Sequence, residues 1–272
     1  MNPITSFIKR YPQGTFWGIV WAANFLFWYL ASKYPSDLWL LGISAVLLTG
    51  VLVTAIADGR AGLKTYFSRI VRWRVGLKWY AVALFLPLVL RLAAFGLNLA
   101  SGATLSTNIQ WPAWSELIAV FLFIFFTIAL FEEPGFRGFA LPRLLIGRSA
   151  LAAGLILGVL HTIWHLPNFI TGDDAPVVVL IIIGGAVLNT WLFNNTSGSV
   201  FMAMLLHASV NLWAEVFSPF FSGADAERQT IWLAVGFAAM AILLPILTGR
   251  ELGRKPETAM PAIATDQPAV AR

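Results

Sequence analysis

Long apolar runs recur along the chain, roughly at 15–33, 38–57, 79–100, 115–134, 150–170, 176–194, 199–219 and 229–248. A helix needs about 20 mostly apolar residues to cross the hydrocarbon core of a bilayer. Lipid offers backbone N–H and C=O groups no partner but one another, so only helices and closed barrels span it. These runs are continuous instead of alternating, which argues against barrel strands. The expected fold class is all-α: a polytopic membrane protein of about eight transmembrane helices. Composition agrees, with 58% hydrophobic and 11% charged residues, against about 25% charged in a soluble domain. Pro87 and Arg91 interrupt the third run, and Gly184 and Gly185 in the sixth would let a neighbouring helix approach closely.

The cations divide unequally between alternate loops. One set holds Lys9, Arg10, Arg60, Lys64, Arg69, Arg72, Arg74, Lys78, Arg137, Arg143, Arg148, Arg250, Arg254 and Lys255; the other holds Lys33 and Arg228. Fourteen against two places both termini on the cytoplasmic side of a cell membrane, most naturally the cytoplasmic membrane. The net charge of +5 follows from these loops, and a nucleic-acid partner is not expected. Residues 58–78 mix cations with Tyr66, Phe67, Ile70 and Trp73, which predicts an amphipathic helix at the interface. Met1 to Gln13 leads into a full-length span without a small-residue cleavage site, so the first helix reads as retained. Cysteine is absent, which excludes disulfides, thiolate metal sites and cysteine nucleophiles.

The fourth run ends on Glu132, Glu133 and Arg137. An ionised side chain at membrane depth costs about 2.5–3.5 kcal/mol on insertion scales, so such residues default to function. The chain's three histidines all follow, His161 and His165 in the fifth run and His207 in the seventh. Counting along a hairpin that turns at Gly147, Arg148 and Ser149 brings Glu132 level with His165. A carboxylate facing an imidazole can deprotonate a water or bind a cation. His161 and His165 share a helix face, as do His207, Asn211 and Glu215, and Asn and His are natural donors to a developing oxyanion. Ser209, two residues from His207, points elsewhere and does not pair with it. No H-E-x-x-H, G-x-S-x-G or P-loop pattern competes.

E-E-x-x-x-R at Glu132–Arg137, Trp164-His165-Leu166-Pro167, and H-x-x-x-N at His207–Asn211 together resemble the CPBP (Abi) family. These are intramembrane proteases related to the CAAX prenyl endopeptidases. The likeness covers roughly residues 58–215, including the basic stretch before the fourth run. It divides the chain into two N-terminal spans (1–57), a catalytic helical core (58–219), a final span (220–250) and a disordered tail (251–272).

The resemblance implies a glutamate-activated water attacking a peptide carbonyl. Carried over by motif, Glu132 is the base, His165 its partner on the water, and His207 with Asn211 the oxyanion donors. Glu133 and Arg137 organise the site, pairing with each other. The family's second motif is commonly F-x-x-x-H. Either His161 fills the aromatic position before His165, or Leu157 does and His161 is catalytic; the Trp-His-x-Pro context favours His165.

A zinc ion on His161, His165 and His207 stays open, since water activation by glutamate and histidine needs none. The implied partner is a membrane-associated protein or peptide substrate; the oligomeric state is not fixed. A non-proteolytic adaptor and a proton- or cation-coupled transporter are the alternative functions, the latter disfavoured because no internal repeat is visible. Reporter fusions at the C-terminal tail and at Asp173-Asp174 should give opposite signals; matching signals would defeat the eight-span arrangement.

Overall fold

The computed structural model describes residues 2–34, 37–107, 109 and 111–254. Among them every regular element is helical: α1 (Pro3–Arg10), α2 (Pro12–Lys33), α3 (Trp39–Ile70), α4 (Leu77–Ala100), α5 (Trp114–Leu144), α6 (Ala150–Trp164), α7 (Leu166–Thr171), α8 (Val178–Asn195), α9 (Val200–Phe217) and α10 (Gly223–Thr248). The protein is an all-α, integral, multi-pass membrane protein.

Among the described residues, six helices are long and apolar enough to cross a membrane: α3, α4, α5, α8, α10, and α9 with its short continuation to Phe220. The expected count of eight is therefore not met by length and apolarity. α2 is long enough at 22 residues, but Gln13, Thr15 and Asn24 dilute it. The fifth run breaks in two. α6 has 15 residues, about 22 Å at 1.5 Å per residue, and Pro167 opens the separate α7 because its nitrogen cannot donate to the preceding turn.

The predicted amphipathic helix over 58–78 is also replaced. α3 runs through Asp58 and turns at Gly59, whose φ of 64° is open to glycine at little cost. Residues 60–70 continue as helix, 71–76 are irregular, and Leu77 already belongs to α4. The cations here tie the chain together: Arg69 donates to the Gly138 carbonyl and Arg72 to that of Ser197. Ser199 in turn donates to the Arg72 carbonyl at 2.6 Å, and Arg143 pairs with Asp58.

The stretch expected to begin the tail is partly folded. Leu252 is fully buried and Arg254 donates to the carbonyls of Leu145 and Arg148. Residues 255–272 lie outside the described residues.

Packing centres on the end of α5. Two stretches of this helix, 125–129 and 134–140, widen into π-helix, a form that often marks functional sites. Pro134 accounts for the second: it cannot donate to the Leu130 carbonyl, so the hydrogen bonds re-register. Residues 133–142 are all buried. On one side α3 crosses so closely that a Cβ on Gly135 would lie 2.4 Å from Val46 Cγ1 and 2.6 Å from the Val46 carbonyl oxygen. On another, Phe16 and Trp17 of α2 stack on Phe139 and Phe136, at centroid distances of 4.6 and 5.6 Å. Gln13 donates to the Ala140 carbonyl at 2.7 Å. The N-terminal helices thus belong to the same core as the expected catalytic region.

Gly184 performs the expected close approach, against the backbone of Phe237 in α10. On the far side of α9, Ser209 and Trp213 donate to the Leu84 carbonyl of α4, one turn before Pro87, so the Ser209 hydroxyl is a packing group.

Gly135→Ala should destabilise the protein by about 1–3 kcal/mol, the usual cost of forcing atoms into a filled core. Val46→Ala in the same chain should recover only part of this, because the Val46 carbonyl remains in the way. Thermal unfolding in detergent reads both; full recovery would show that the contact is governed by side chains alone.

Candidate active site

Glu132 and Glu133 sit between the two π stretches of α5, with relative exposures of 3% and 0%. Adjacent on one helix, they meet different surroundings. Glu133 Oε1 accepts from Arg137 Nη1 at 2.9 Å and lies 2.8 Å from His207 Nδ1. The expected pairing of Glu133 with Arg137 is present. An ionised carboxylate only accepts, so His207 is the donor through Nδ1 and its Nε2 faces away from Glu133. Arg137 is itself 2% exposed, and a buried guanidinium matched to a carboxylate is the arrangement that makes two such charges tolerable.

Among the described residues Glu132 has no hydrogen-bond partner. Its closest charged-group contact is His161 Nε2, 3.7 Å from Oε2, beyond hydrogen-bond length. His207 and His165 are also within Coulombic range of it. Three polar atoms beside this carboxylate are buried without a hydrogen bond: Glu133 Oε2, Arg137 Nε and His161 Nε2.

The hairpin count put His165 level with Glu132, and the structure instead brings His161 into contact with it. The π stretch over 134–140 advances less per residue than an α-helix, so it shortens the α5 arm beyond Glu132 and moves the matching point on α6 toward His161.

His161 packs as an aromatic ring would, with centroids 4.5 Å from Phe136 and 5.8 Å from Trp164. His165 lies next to it, at 5.0 Å between ring centroids, and is less deeply buried. It caps α6, and its Nδ1 is 3.2 Å from Asp174 Oδ2 in the loop after α7. Hydrogen bonding from His165 holds the Asp174 carboxyl below the usual aspartate range.

Asn211 lies one turn beyond His207 on α9, half-buried, and among the described residues its amide has no hydrogen-bond partner. It lines a cavity of about 330 Å³ together with Glu215 and Ala214 of α9 and Val120, Phe123, Ile124 and Ile128 of α5. Apart from Asn211 and Glu215 these walls are apolar.

His207 meets Glu133 through Nδ1 and His165 meets Asp174 through Nδ1, which leaves Nε2 of each ring clear of those carboxylates. Among the described residues no three of His, Asp and Glu stand where one ion could meet them all.

Several contributors were invisible in the sequence. Trp17 stacks under Phe136, Asn24 donates to the Trp164 carbonyl at 2.7 Å and Trp21 to that of Leu160. An asparagine inside the first apolar run was the available signal for them.

Replacing Arg137 by Met should cost about 3–5 kcal/mol, because Glu133 is left buried without its cation. Adding Glu133→Gln should restore most of the loss. Equilibrium unfolding in mixed micelles tests this, and simple additivity of the two changes would show that the pair is not coupled.

Residues 113–213 match the family model for type II CAAX prenyl endopeptidases of the Rce1-like kind. CAAX prenyl protease 2 of Methanococcus maripaludis is 22% identical over 191 residues, covering 64% of this chain and 70% of that protein. Over the stretch that holds Glu132, Glu133, Arg137 and all three histidines, the chain is similar to a CAAX protease-like family.

Proposed function

We propose that the protein is an intramembrane endopeptidase that hydrolyses a peptide bond near the cytoplasmic membrane surface. The observation that carries this is the unequal treatment of two adjacent buried carboxylates. Glu133 is held by Arg137 and His207, while Glu132 has no hydrogen bond and three histidines around it. Environments that separate two neighbouring carboxyl groups mark a division of roles: one structural, one free to exchange a proton.

The reaction follows from that division. Glu132 takes a proton from a water while His165 orients it, and the hydroxide attacks the carbonyl carbon of the scissile bond. The oxygen of that carbonyl gains negative charge and is met by the unengaged Asn211 amide and by His207, which as an imidazolium donates through Nε2 while Nδ1 stays on Glu133. Glu132 then returns the proton to the departing amine, completing hydrolysis with no net proton transfer. His161 serves as part of the aromatic wall and as a neighbour to Glu132, matching the family's aromatic position.

The substrate approaches as a membrane-associated protein or peptide. The relative named CAAX prenyl protease 2 suggests a first probe: an internally quenched, S-prenylated peptide ending in Cys-aliphatic-aliphatic-X. The apolar cavity beside Asn211 supports a chain end that carries apolar groups. A comparison of membrane proteomes with and without the gene, searching for a new cleavage terminus, identifies the natural substrate.

Glu132→Gln should lower turnover about 10²–10⁴-fold, as expected for a lost general base, and His165→Ala should be comparable. Asn211→Ala should lose about 10²–10³-fold in kcat with little change in KM. His161→Phe should retain most activity. A dead His161→Phe beside an active His165→Ala would reverse the choice of histidine. If all four variants cleave like the parent protein, the catalytic reading fails.

A further inference from the structure

Asp174 was no part of the motif set, yet its carboxylate reaches one of the motif histidines. The short α7 ends at Gly172, whose φ of 82° turns the chain back and lays Asp174 beside His165. Asp174 Oδ2 lies 3.2 Å from His165 Nδ1 and accepts from Asn168 Nδ2 at 3.2 Å. The side chains of His165 and Asp174 are each 23% exposed, so the pair is shielded on most sides.

The loop does not need this carboxylate to close. The Asp174 backbone N–H already bonds the Asn168 carbonyl at 3.1 Å. Thr171 Oγ1 bonds Asp173 Oδ2 at 2.6 Å and the carbonyls of Pro167 and Asn168. The Asp174 side chain adds two contacts on one oxygen, the Asn168 amide and the His165 imidazole, and only the second reaches outside the loop.

That contact decides where the ring proton sits. A carboxylate has no proton to give, so the hydrogen of the Asp174–His165 bond belongs to Nδ1. Nε2, on the opposite side of the ring, is left with its lone pair. The Asp174 side of the ring faces the loop, while the His165 ring lies against His161, whose own Nε2 contacts Glu132. The same pattern recurs at His207, whose Nδ1 is held by Glu133.

We propose that Asp174 is a positioning residue that fixes His165 in the Nδ1–H tautomer and so presents the Nε2 lone pair to the water beside Glu132. The proposal rests on the proteolytic reading above for its role, and on the hydrogen bond alone for its geometry. Glu132 removes the water's proton; the His165 lone pair accepts a hydrogen bond from the same water and fixes its direction of attack. No atom of Asp174 touches the substrate.

The test uses full-length protein labelled with ¹⁵N-histidine, in which only three imidazoles contribute, His161→Phe and His207→Gln serving to assign them. In the parent protein His165 should show Nδ1 protonated and Nε2 bare. Asp174→Ala should shift His165 to a mixture of tautomers and leave the His207 signals in place. With the quenched, S-prenylated Cys-aliphatic-aliphatic-X peptide as probe, Asp174→Ala should lower kcat about 10²-fold, in the range for disturbed acid–base catalysis, with KM changing less than about twofold. Asp174→Glu should recover at least part of kcat and the tautomer together. If Asp174→Ala does not fold, Asp174→Asn, which keeps an acceptor oxygen and the backbone bond, is read the same way, with kcat falling as the charge is removed.

His165 protonated on Nε2 in the parent protein overturns the proposal, as does a kcat loss in Asp174→Ala with the tautomer unchanged. So does a tautomer switch that leaves kcat intact. A parent protein with the Nδ1–H tautomer that cleaves neither the peptide nor any membrane protein overturns the proteolytic reading instead, and leaves the Asp174–His165 pair as the ring's orienting contact.

Discussion

Two adjacent carboxylates buried inside an apolar helix are the constraint around which the rest of this protein is arranged. Neither can remain charged there without compensation, and one arginine a turn away cannot compensate both. The structure resolves this asymmetrically. Glu133 takes the guanidinium of Arg137 and the Nδ1–H of His207 on one oxygen. Glu132 is left without a hydrogen bond but within the field of the histidines. A satisfied carboxylate stabilises the fold and rigidifies the helix; an unsatisfied one at the same depth retains the capacity to take a proton. The difference arises from neighbours contributed by α5 and α9, not from the two residues themselves.

The same constraint explains the unusual backbone of α5. The Glu132–Glu133 turn must present two side chains in different directions while α3 and α2 pack tightly around the turn that follows. Pro134 removes a backbone donor, and Gly135 removes the Cβ that would strike Val46. The helix widens over 134–140, and the aromatic rings of Phe136 and Phe139 turn outward onto Trp17 and Phe16. Close backbone approach and aromatic stacking exclude other groups from the side of the carboxylates opposite α9.

Much of this was legible in the chain and some was not, for physical reasons. Continuous apolar runs announced an all-α membrane fold, since lipid leaves few alternatives. Glu133 and Arg137 stand four apart, and their pairing could be read from helix geometry. Counting failed where it assumed ideal helices. The π stretch after Glu132 shortens the α5 arm, and Glu132 contacts His161 instead of His165. Gly59 broke the basic segment that composition had made look like one interfacial helix. Asp174 escaped notice because the turn at Gly172, which carries it back to His165, has no periodicity to reveal it. The question of zinc, left open by three histidines in the sequence, meets one geometric fact: among the described residues no three of His, Asp and Glu gather around a common point.

The first helix shows why local sequence arguments undervalued the N-terminus. α6 must stop early, because Pro167 and the His165 cap end it within the protein interior. A helix that ends there leaves carbonyls without partners, and in a medium without water each is costly. The Trp164 carbonyl receives the Asn24 amide at 2.7 Å, and Trp21 donates to the Leu160 carbonyl. Asn24, one of the polar residues that dilute α2, is therefore a donor that satisfies the end of α6. A more apolar α2 would cross a membrane more readily on its own, yet it would leave the broken helix end unsatisfied and the His165 ring without a fixed base. The helix end that carries His165 is thus held by an asparagine 140 residues before Trp164, and the span that looks least convincing as a membrane anchor is the one that holds the interior break in place.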